Sequence, residues 1–429
     1  MRKVCCLLAC LLLVCCAMGA AAEYSVKKPI TISWWHAHEE PFHESLQYMV
    51  DTFNRENGMG ITVTPVYMGG YPSVHEAFMN GSKEHGTPAL ITCNTSYPSL
   101  YGQKGLCEPL DPYIAWSDYP LADFGEGLIE STSYNGQQIA LPYLISTQTM
   151  FYNKTAAEEE GISLPRTFSD MEAFLEKATL FNKDGSTKRY GTVFGGWDYW
   201  YFEMLYKNNG VELITADGGT DVNSARSVEI TEKIRSFIDK GYAYYAYGSG
   251  ASGEMRTRFV ESKALSIMHT TSLYDSYCER VAASAAPFTV GMAPLPGDDN
   301  GEFFRSEIGA AAIAIPAAAS RAQKNAAWQF LMFMTSPEMN LYWSDTTGYV
   351  PTRASVQQTE AYGEYLVRKP EMAKVVENAH LIYPRNQHPQ YDACANKWRH
   401  ALAKIFRDQA PVKETLDALA GEINALLNP

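Results

Sequence analysis

Of the nine cysteines in this 429-residue chain, five fall within the first sixteen residues, which leaves Cys93, Cys107, Cys278 and Cys394 for everything after. None of these four stands in a CxxC pair, so the spacing offers no zinc knuckle. The sequence also lacks a G-x-S-x-G elbow, a Walker loop and an HExxH helix, and with them the usual marks of a serine hydrolase, a nucleotide-phosphate site or a zinc protease. Positive charge is scarce. Without Arg2 and Lys3 the chain has 33 basic residues against 48 acidic ones, a formal net charge of −15. No basic stripe is available for a phosphate backbone, which argues against nucleic acid as a partner. Beyond the first residues no apolar run is long enough to span a bilayer.

The beginning of the chain reads as a processing signal. Arg2 and Lys3 precede an apolar run from Val4 to Cys16, and Ala20 to Ala22 offer a small-residue cleavage site before Glu23. This pattern predicts a signal peptide over residues 1–22 and export to the periplasm. An uncleaved membrane anchor and a lipoprotein acylated at Cys15 or Cys16 are the other readings, although Val14 is large for the lipoprotein signal. In an exported chain Cys93 and Cys107 are spaced for a short-loop disulfide. Two buried free thiols are the equal alternative.

Hydrophobic spacing gives the organisation. Ile30–His38 alternates as a strand. Phe42, Leu46, Met49, Val50 and Phe53 recur at helical spacing, closed near Gly58 and Gly60. A strand at Ile61–Tyr67, a helix near Ser73–Met79 and a strand at Ala89–Cys93 follow, and β-α-β-α-β order implies a parallel sheet covered by helices. Ile139–Asn153 and Thr289–Pro296 read as extended segments that pass between two lobes, the second ended by Gly297 to Gly301. The C-terminal part carries two amphipathic helices, one with Trp398, Leu402 and Ile405, the next with Leu416, Leu419, Ile423 and Leu426. The expected domains are residues 23–142 with 291–345, and residues 143–290 with 346–429.

Several short segments then form a pattern. They are Trp35-His36, Gly70-Tyr71, Pro88 to Leu90, Ser146 with Phe151 to Asn153, Trp197 with Trp200, Gly309, and Thr347-Gly-Tyr-Val-Pro351. In order and spacing the chain resembles the extracellular solute-binding proteins of ABC importers, in the group that takes sugars and glycerol phosphate. The resemblance covers nearly the whole chain after residue 22. It implies an α/β, two-lobe periplasmic-binding-protein fold, interlobe hinge strands, and a central cleft that closes on a small solute. It also implies ABC permease subunits as membrane partners, a monomer, and no cofactor. Carried over position by position, Tyr71, Ser146, Gly309 and Tyr349 match ligand contacts of the glycerol-phosphate-binding members, and Trp197 and Trp200 match cleft tryptophans. Two positions depart. Thr95 stands where those members have a glutamate, and Asp392 where they have a phosphate-binding arginine. His269, or its neighbours Thr270 and Thr271, replaces a serine contact. An aspartate accepts hydrogen bonds from sugar hydroxyls and repels a phosphate. The expected ligand is therefore a sugar or a glycerol-phosphate derivative, with Arg385 or Arg305 as the cations that would restore phosphate binding.

The aromatic segment after Gly195-Gly196 has two readings, cleft lining or core packing. Indole rings stack on the apolar face of a sugar, and a glycine pair marks a loop start, so lining is expected. His36, His38, Glu39, Glu40 and His43 crowd into eight residues. Imidazoles and carboxylates suit zinc. With no distal ligand pair, a polar cleft-side loop is the expectation, with Trp35 and His38 among the ligand contacts and no metal. A secreted carbohydrate-active enzyme is the alternative function, because a glycosidase carboxylate pair leaves no local motif. A turnover assay on oligosaccharides separates that enzyme from a receptor.

Overall fold

The computed structural model describes residues 23–81, 85–248, 250–299, 306–377, 382–383 and 385–428. The expected signal peptide and Arg305 lie outside the described residues. The strands of the two main sheets are, in chain order, β1 (Ile30–His36), β2 (Ile61–Tyr67), β3 (Leu90–Asn94), β4 (Ala140–Ser146), β5 (Gln148–Asn153), β6 (Thr187–Gly195), β7 (Ala243–Ala246), β8 (Ala264–Thr270), β9 (Val290–Ala293) and β10 (Gly309–Ala314). The chain divides into two compact units. The first holds the described residues up to Leu144, with Ala310–Trp343 and Pro351–Thr359. The second holds Ile145–Gly309, Ser344–Val350 and the described residues from Glu360 onward.

The first unit is built on the sheet β2-β1-β3-β10-β4. β1 runs parallel to β2, with Ile30 opposite Ile61 and His36 opposite Tyr67, and parallel to β3. β10 returns antiparallel to β3. The helix α1 (His43–Glu56) buries Leu46, Met49, Val50 and Phe53, the stripe that the three- and four-residue spacing predicts. Its end is tied to the next strand by Asn57. The Asn57 side chain donates to the carbonyls of Phe53 at 2.8 Å and Ile61 at 2.9 Å, and accepts from the Ile61 amide. One side chain thus caps the helix and starts β2.

Period-two alternation sorts the two tryptophans of β1. Trp34 donates its indole N–H to Thr92 Oγ1 at 2.9 Å and packs edge-on against Phe330. Trp35 points the other way, into a core with Ile91, Cys93, Tyr97 and Tyr101, and is 1% exposed. Cys93 and Cys107 both lie in this core as thiols that no disulfide joins.

The second unit is built on the sheet β7-β6-β8-β5-β9. β7 and β8 are parallel to β6, while β5 is antiparallel to both β8 and β9. Its core takes in Phe174, Phe194, Phe202, Ile230, Phe237 and the C-terminal helices Tyr391–Phe406 and Val412–Leu427, whose Trp398, Leu402, Leu416 and Ile423 are fully buried. The Thr289–Pro296 segment departs from the expectation of a passage between lobes. Val290–Ala293 is the β9 edge strand of this sheet, bonded to β5, and the chain changes unit between Gly309 and Ala310. A short apolar run ended by proline looks the same at a sheet edge and at a crossing, because nothing local says which strand it will join.

Candidate functional site

Seven of the expected site residues belong to the second unit, and six of these gather around the end of β4. The Ser146 hydroxyl donates to the Gly309 carbonyl at 2.9 Å. The indole of Trp200 lies over the same glycine, so close that a Cβ on Gly309 would stand 2.9 Å from the ring and 2.6 Å from Ser146 Oγ. Trp200 opens the helix α2 (Trp200–Lys207), where its amide is capped by Asp198 Oδ1 at 3.0 Å. Its carbonyl accepts from Gln148 Nε2 on β5. The ring is 7% exposed, and its Nε1 is a buried donor with no hydrogen-bond partner among the described residues.

A second aromatic group adjoins it. Trp197 meets Tyr201 at 4.7 Å between ring centroids and the edge of His269 at 5.7 Å. Tyr201 stacks on His269 at 5.2 Å and meets Trp200 edge-on at 5.1 Å. Burial, with the charge of Arg256, lowers His269 to a pKa of about 3, so the ring is a neutral donor and acceptor held by the Tyr277 hydroxyl. The Gly-Tyr-Val-Pro turn is pinned nearby. Val350 donates its amide to the Ile145 carbonyl at 2.8 Å, which sets Tyr349 beside Ser146. Gly348 has φ of +76° and sits 3.4 Å from the Thr271 carbonyl by its absent Cβ, a position that only glycine fills without strain. Thr271 in turn bonds the backbone of Thr147.

Asp392 is the seventh residue. It lies in the first turn of the helix Tyr391–Phe406, half-buried, near enough to Arg385 to act on its charge. The Arg385 guanidinium stands 5.8 Å from the Trp200 ring. It is buried, and its Nε donates to Glu307 Oε2 at 3.2 Å.

In the first unit the expected residues do not form one group. His38 is buried, hydrogen-bonded through Nε2 to the Tyr143 hydroxyl, stacked on His36 and edged by Trp343. His43 donates from Nε2 to the His38 carbonyl at 2.8 Å. Burial lowers His36 to a pKa of about 4, with His43 adding to the shift, and holds His38 well below its ordinary value. The His36 and His38 rings are therefore neutral. Among the described residues no group of three or more histidines, cysteines and carboxylates converges where a metal ion would sit. Trp35 is corrected: it faces the core on the side of β1 opposite His36, out of reach of this group. Thr95 is fully buried just after β3, and Tyr71 is half-buried at the start of the helix Tyr71–Asn80.

Tyr201 and Glu307 escaped the sequence reading. Tyr201 carried a readable signal, being one more aromatic ring directly after Trp200 in the segment that begins at Trp197. Glu307 carried none, since its partners lie far away in sequence.

With this geometry in view, the comparisons fall into place. The sequence matches, over residues 48–373, the family described as bacterial extracellular solute-binding protein. It is 23% identical over 371 residues to the sn-glycerol-3-phosphate-binding periplasmic protein UgpB of Pectobacterium atrosepticum, covering 82% of this chain and 80% of that one. The fold is similar to that of UgpB from Mycobacterium tuberculosis in complex with glycerophosphocholine, with a TM-score of 0.80, 21% identity, and coverage of 94% and 99%. It is as similar to the GacH receptor of Streptomyces glaucescens, solved unliganded and with acarbose, at a TM-score of 0.80, 18% identity and the same coverage.

Proposed function

Because the chain belongs to the bacterial extracellular solute-binding protein family, we propose that it is the substrate-binding receptor of an ABC importer, capturing a sugar or a glycerol-phosphate-derived solute. The observation that carries this reading is the Trp200 site. A large indole, held against Gly309 beside Ser146, carries a buried N–H donor that has no partner among the described residues. A buried donor left unpaired is costly. A hydroxylated ligand offers both an oxygen for that donor and an apolar face for the ring. The similar proteins support the solute class, one by its glycerophosphocholine and one by its acarbose.

Binding closes the two lobes, and the closed receptor delivers its cargo to permease subunits in the membrane. The receptor works as a monomer in the periplasm, free or anchored by a lipid, and takes neither nucleic acid nor cofactor. No helix among the described residues is long and apolar enough to cross a membrane. The glycosidase alternative needs two carboxylates about 5 Å or more apart on either side of a sugar. Glu203 and Glu307, two carboxyl groups close to the Trp200 site, are instead buried and hydrogen-bonded to each other.

Calorimetric titration tests this reading, with glycerol-3-phosphate, glycerophosphocholine and a panel of mono- and disaccharides as titrants. One-to-one binding in the micromolar range, roughly −8 kcal/mol, is expected for at least one of them. Release of new reducing ends from an oligosaccharide, with no stable complex, would establish the enzyme instead.

A further inference from the structure

Behind the Trp200 ring lies a cluster of charged side chains that the receptor reading does not use. Glu203 projects from the helix that Trp200 opens, Glu307 from the short strand before β10, Arg385 from the segment before the C-terminal helices, and Tyr391 from the first of those helices. All four are less than a tenth exposed. Arg385 Nε donates to Glu307 at 3.2 Å, Tyr391 donates its hydroxyl to Glu203, and the two carboxyls share a hydrogen bond. Two carboxylates in contact cannot share that bond without a proton. Burial raises both, and the charge of Glu203 raises Glu307 further, so Glu307 keeps the proton and donates it to Glu203. The sum is one guanidinium, one carboxylate and one carboxylic acid, which is formally neutral. Among the described residues, outer charges that act on the cluster are Lys207, on both glutamates, and Asp198 and Asp392, on Arg385.

We propose that Glu203, acting through Glu307, neutralises Arg385 beneath Trp200, so that this subsite selects a neutral or zwitterionic ligand head and rejects a phosphate monoester. Arg385 is the cation closest to the indole among those the sequence offered as a phosphate anchor and the structure describes, yet its charge is already matched inside the protein. Asp392 adds negative charge on the same side. A phosphate monoester placed here would meet a balanced guanidinium and two aspartates, and burial of its unmatched charge is unfavourable. A sugar hydroxyl, or a phosphodiester whose own ammonium balances its phosphate, meets no such penalty. Glu203 and Glu307 are positioning and charge-setting residues; neither needs to touch the ligand. The inference rests on the receptor reading and deepens it by naming the charge class.

The test is titration of the full protein and three variants with glycerol-3-phosphate, glycerophosphocholine and maltose. In the unaltered protein, glycerol-3-phosphate binds at least tenfold more weakly than the best of the other two. Glu203→Gln alone lets Glu307 ionise against Arg385, so the charge of Arg385 is released by Glu203→Gln together with Glu307→Gln, which strengthens glycerol-3-phosphate at least tenfold while the neutral and zwitterionic ligands change less than threefold. Glu307→Gln reproduces the protonated state and leaves the order of preference unaltered. The double variant Glu203→Gln with Arg385→Gln keeps the cluster neutral and also retains the original order, and it carries the test if the variant lacking both glutamates does not fold. Tight glycerol-3-phosphate binding that Arg385→Gln in either background abolishes would make Arg385 a free anchor and overturn the inference, with the receptor reading intact. Failure of the unaltered protein to bind any of the three or any other solute of the panel would overturn the receptor reading and this inference with it.

Discussion

Gly309 and Trp200 are in contact at the limit of what two groups allow, the ring lying where a methyl group on Gly309 would have to go. A Gly309→Ala change therefore displaces either the indole or the Ser146 hydroxyl. Neither moves freely, since Trp200 opens a helix and Ser146 bonds the Gly309 carbonyl. The expected cost is about 1–3 kcal/mol of stability, in the range of overpacked sites. Denaturant unfolding measures it, and a variant as stable as the parent, with ligand affinity also unchanged, would show that the site yields easily.

Trp200→Ala removes the ring and its unpartnered donor together. Affinity for the best ligand is expected to fall by about 1–3 kcal/mol, as for loss of a buried aromatic anchor. Calorimetry on the folded variant decides this, and equal affinity would move the ligand away from Trp200.

Acid should loosen the protein through its buried histidines. The folded-state values of His36, near 4, and His269, near 3, lie below the unfolded value of about 6.5, and His38 is also lowered. For such groups stability is full above the unfolded value. It is lost as pH falls from about 6.5 towards the folded value, because the unfolded chain takes up protons that the folded one refuses. At 1.36 kcal/mol per unit, His36 alone accounts for up to about 3 kcal/mol by pH 4. Glu203 and Glu307 oppose this, since their raised values lend stability that fades as pH rises. The histidine share is isolated by comparing unfolding midpoints of the parent and of His36→Asn between pH 7.5 and 4.5. The variant is expected to show the shallower decline, and parallel curves would contradict it.

Arg353 binds the first unit's surface to its interior. Its guanidinium donates to the Thr335 carbonyl, to Asp123 Oδ2 at 3.1 Å and to the Tyr119 hydroxyl at 3.0 Å, while Asp123 also holds Ser355. A lysine has the charge without the fork. Arg353→Lys should therefore lose about 1–3 kcal/mol, and Arg353→Ala more, because buried acceptors are left unmatched. Urea midpoints for the two variants in that order are the check, and a lysine variant matching the parent would refute the argument.

Ligand should compact the molecule. Small-angle scattering with and without a saturating ligand is expected to show a smaller radius of gyration on binding, the signature of hinge closure. Superimposable profiles, in a sample shown to be ligand-free at the start, would rule closure out.

How far the sequence alone reached follows from what kind of signal each feature leaves. The run from β1 to β2 was readable because Leu46, Met49, Val50 and Phe53 repeat at the helical period between two alternating strands. The group of Ser146, Trp200, Gly309 and Tyr349 was reached through ordered resemblance, since these positions come from four distant parts of the chain. Trp35 was misplaced even though alternation gave the answer. A strand that turns His36 to one side turns Trp35 to the other. The Glu203, Glu307 and Arg385 cluster left no local trace, because a buried ion pair is set by which strands and helices meet. The edge position of Val290–Ala293 was hidden for the same reason.

The pairing of β3 with β10 sets Cys93 opposite Ala312, 219 residues further along the chain. The first unit thus waits for one of its five strands until a segment 219 residues beyond that strand's partner has been made. Closing so large a loop is slow, because its entropy is lost before any contact repays it. Nor can the second unit finish first, since its C-terminal helices are synthesised last. Interleaving the two units along one chain therefore acts as a delay. Until those late segments are available, neither core can close.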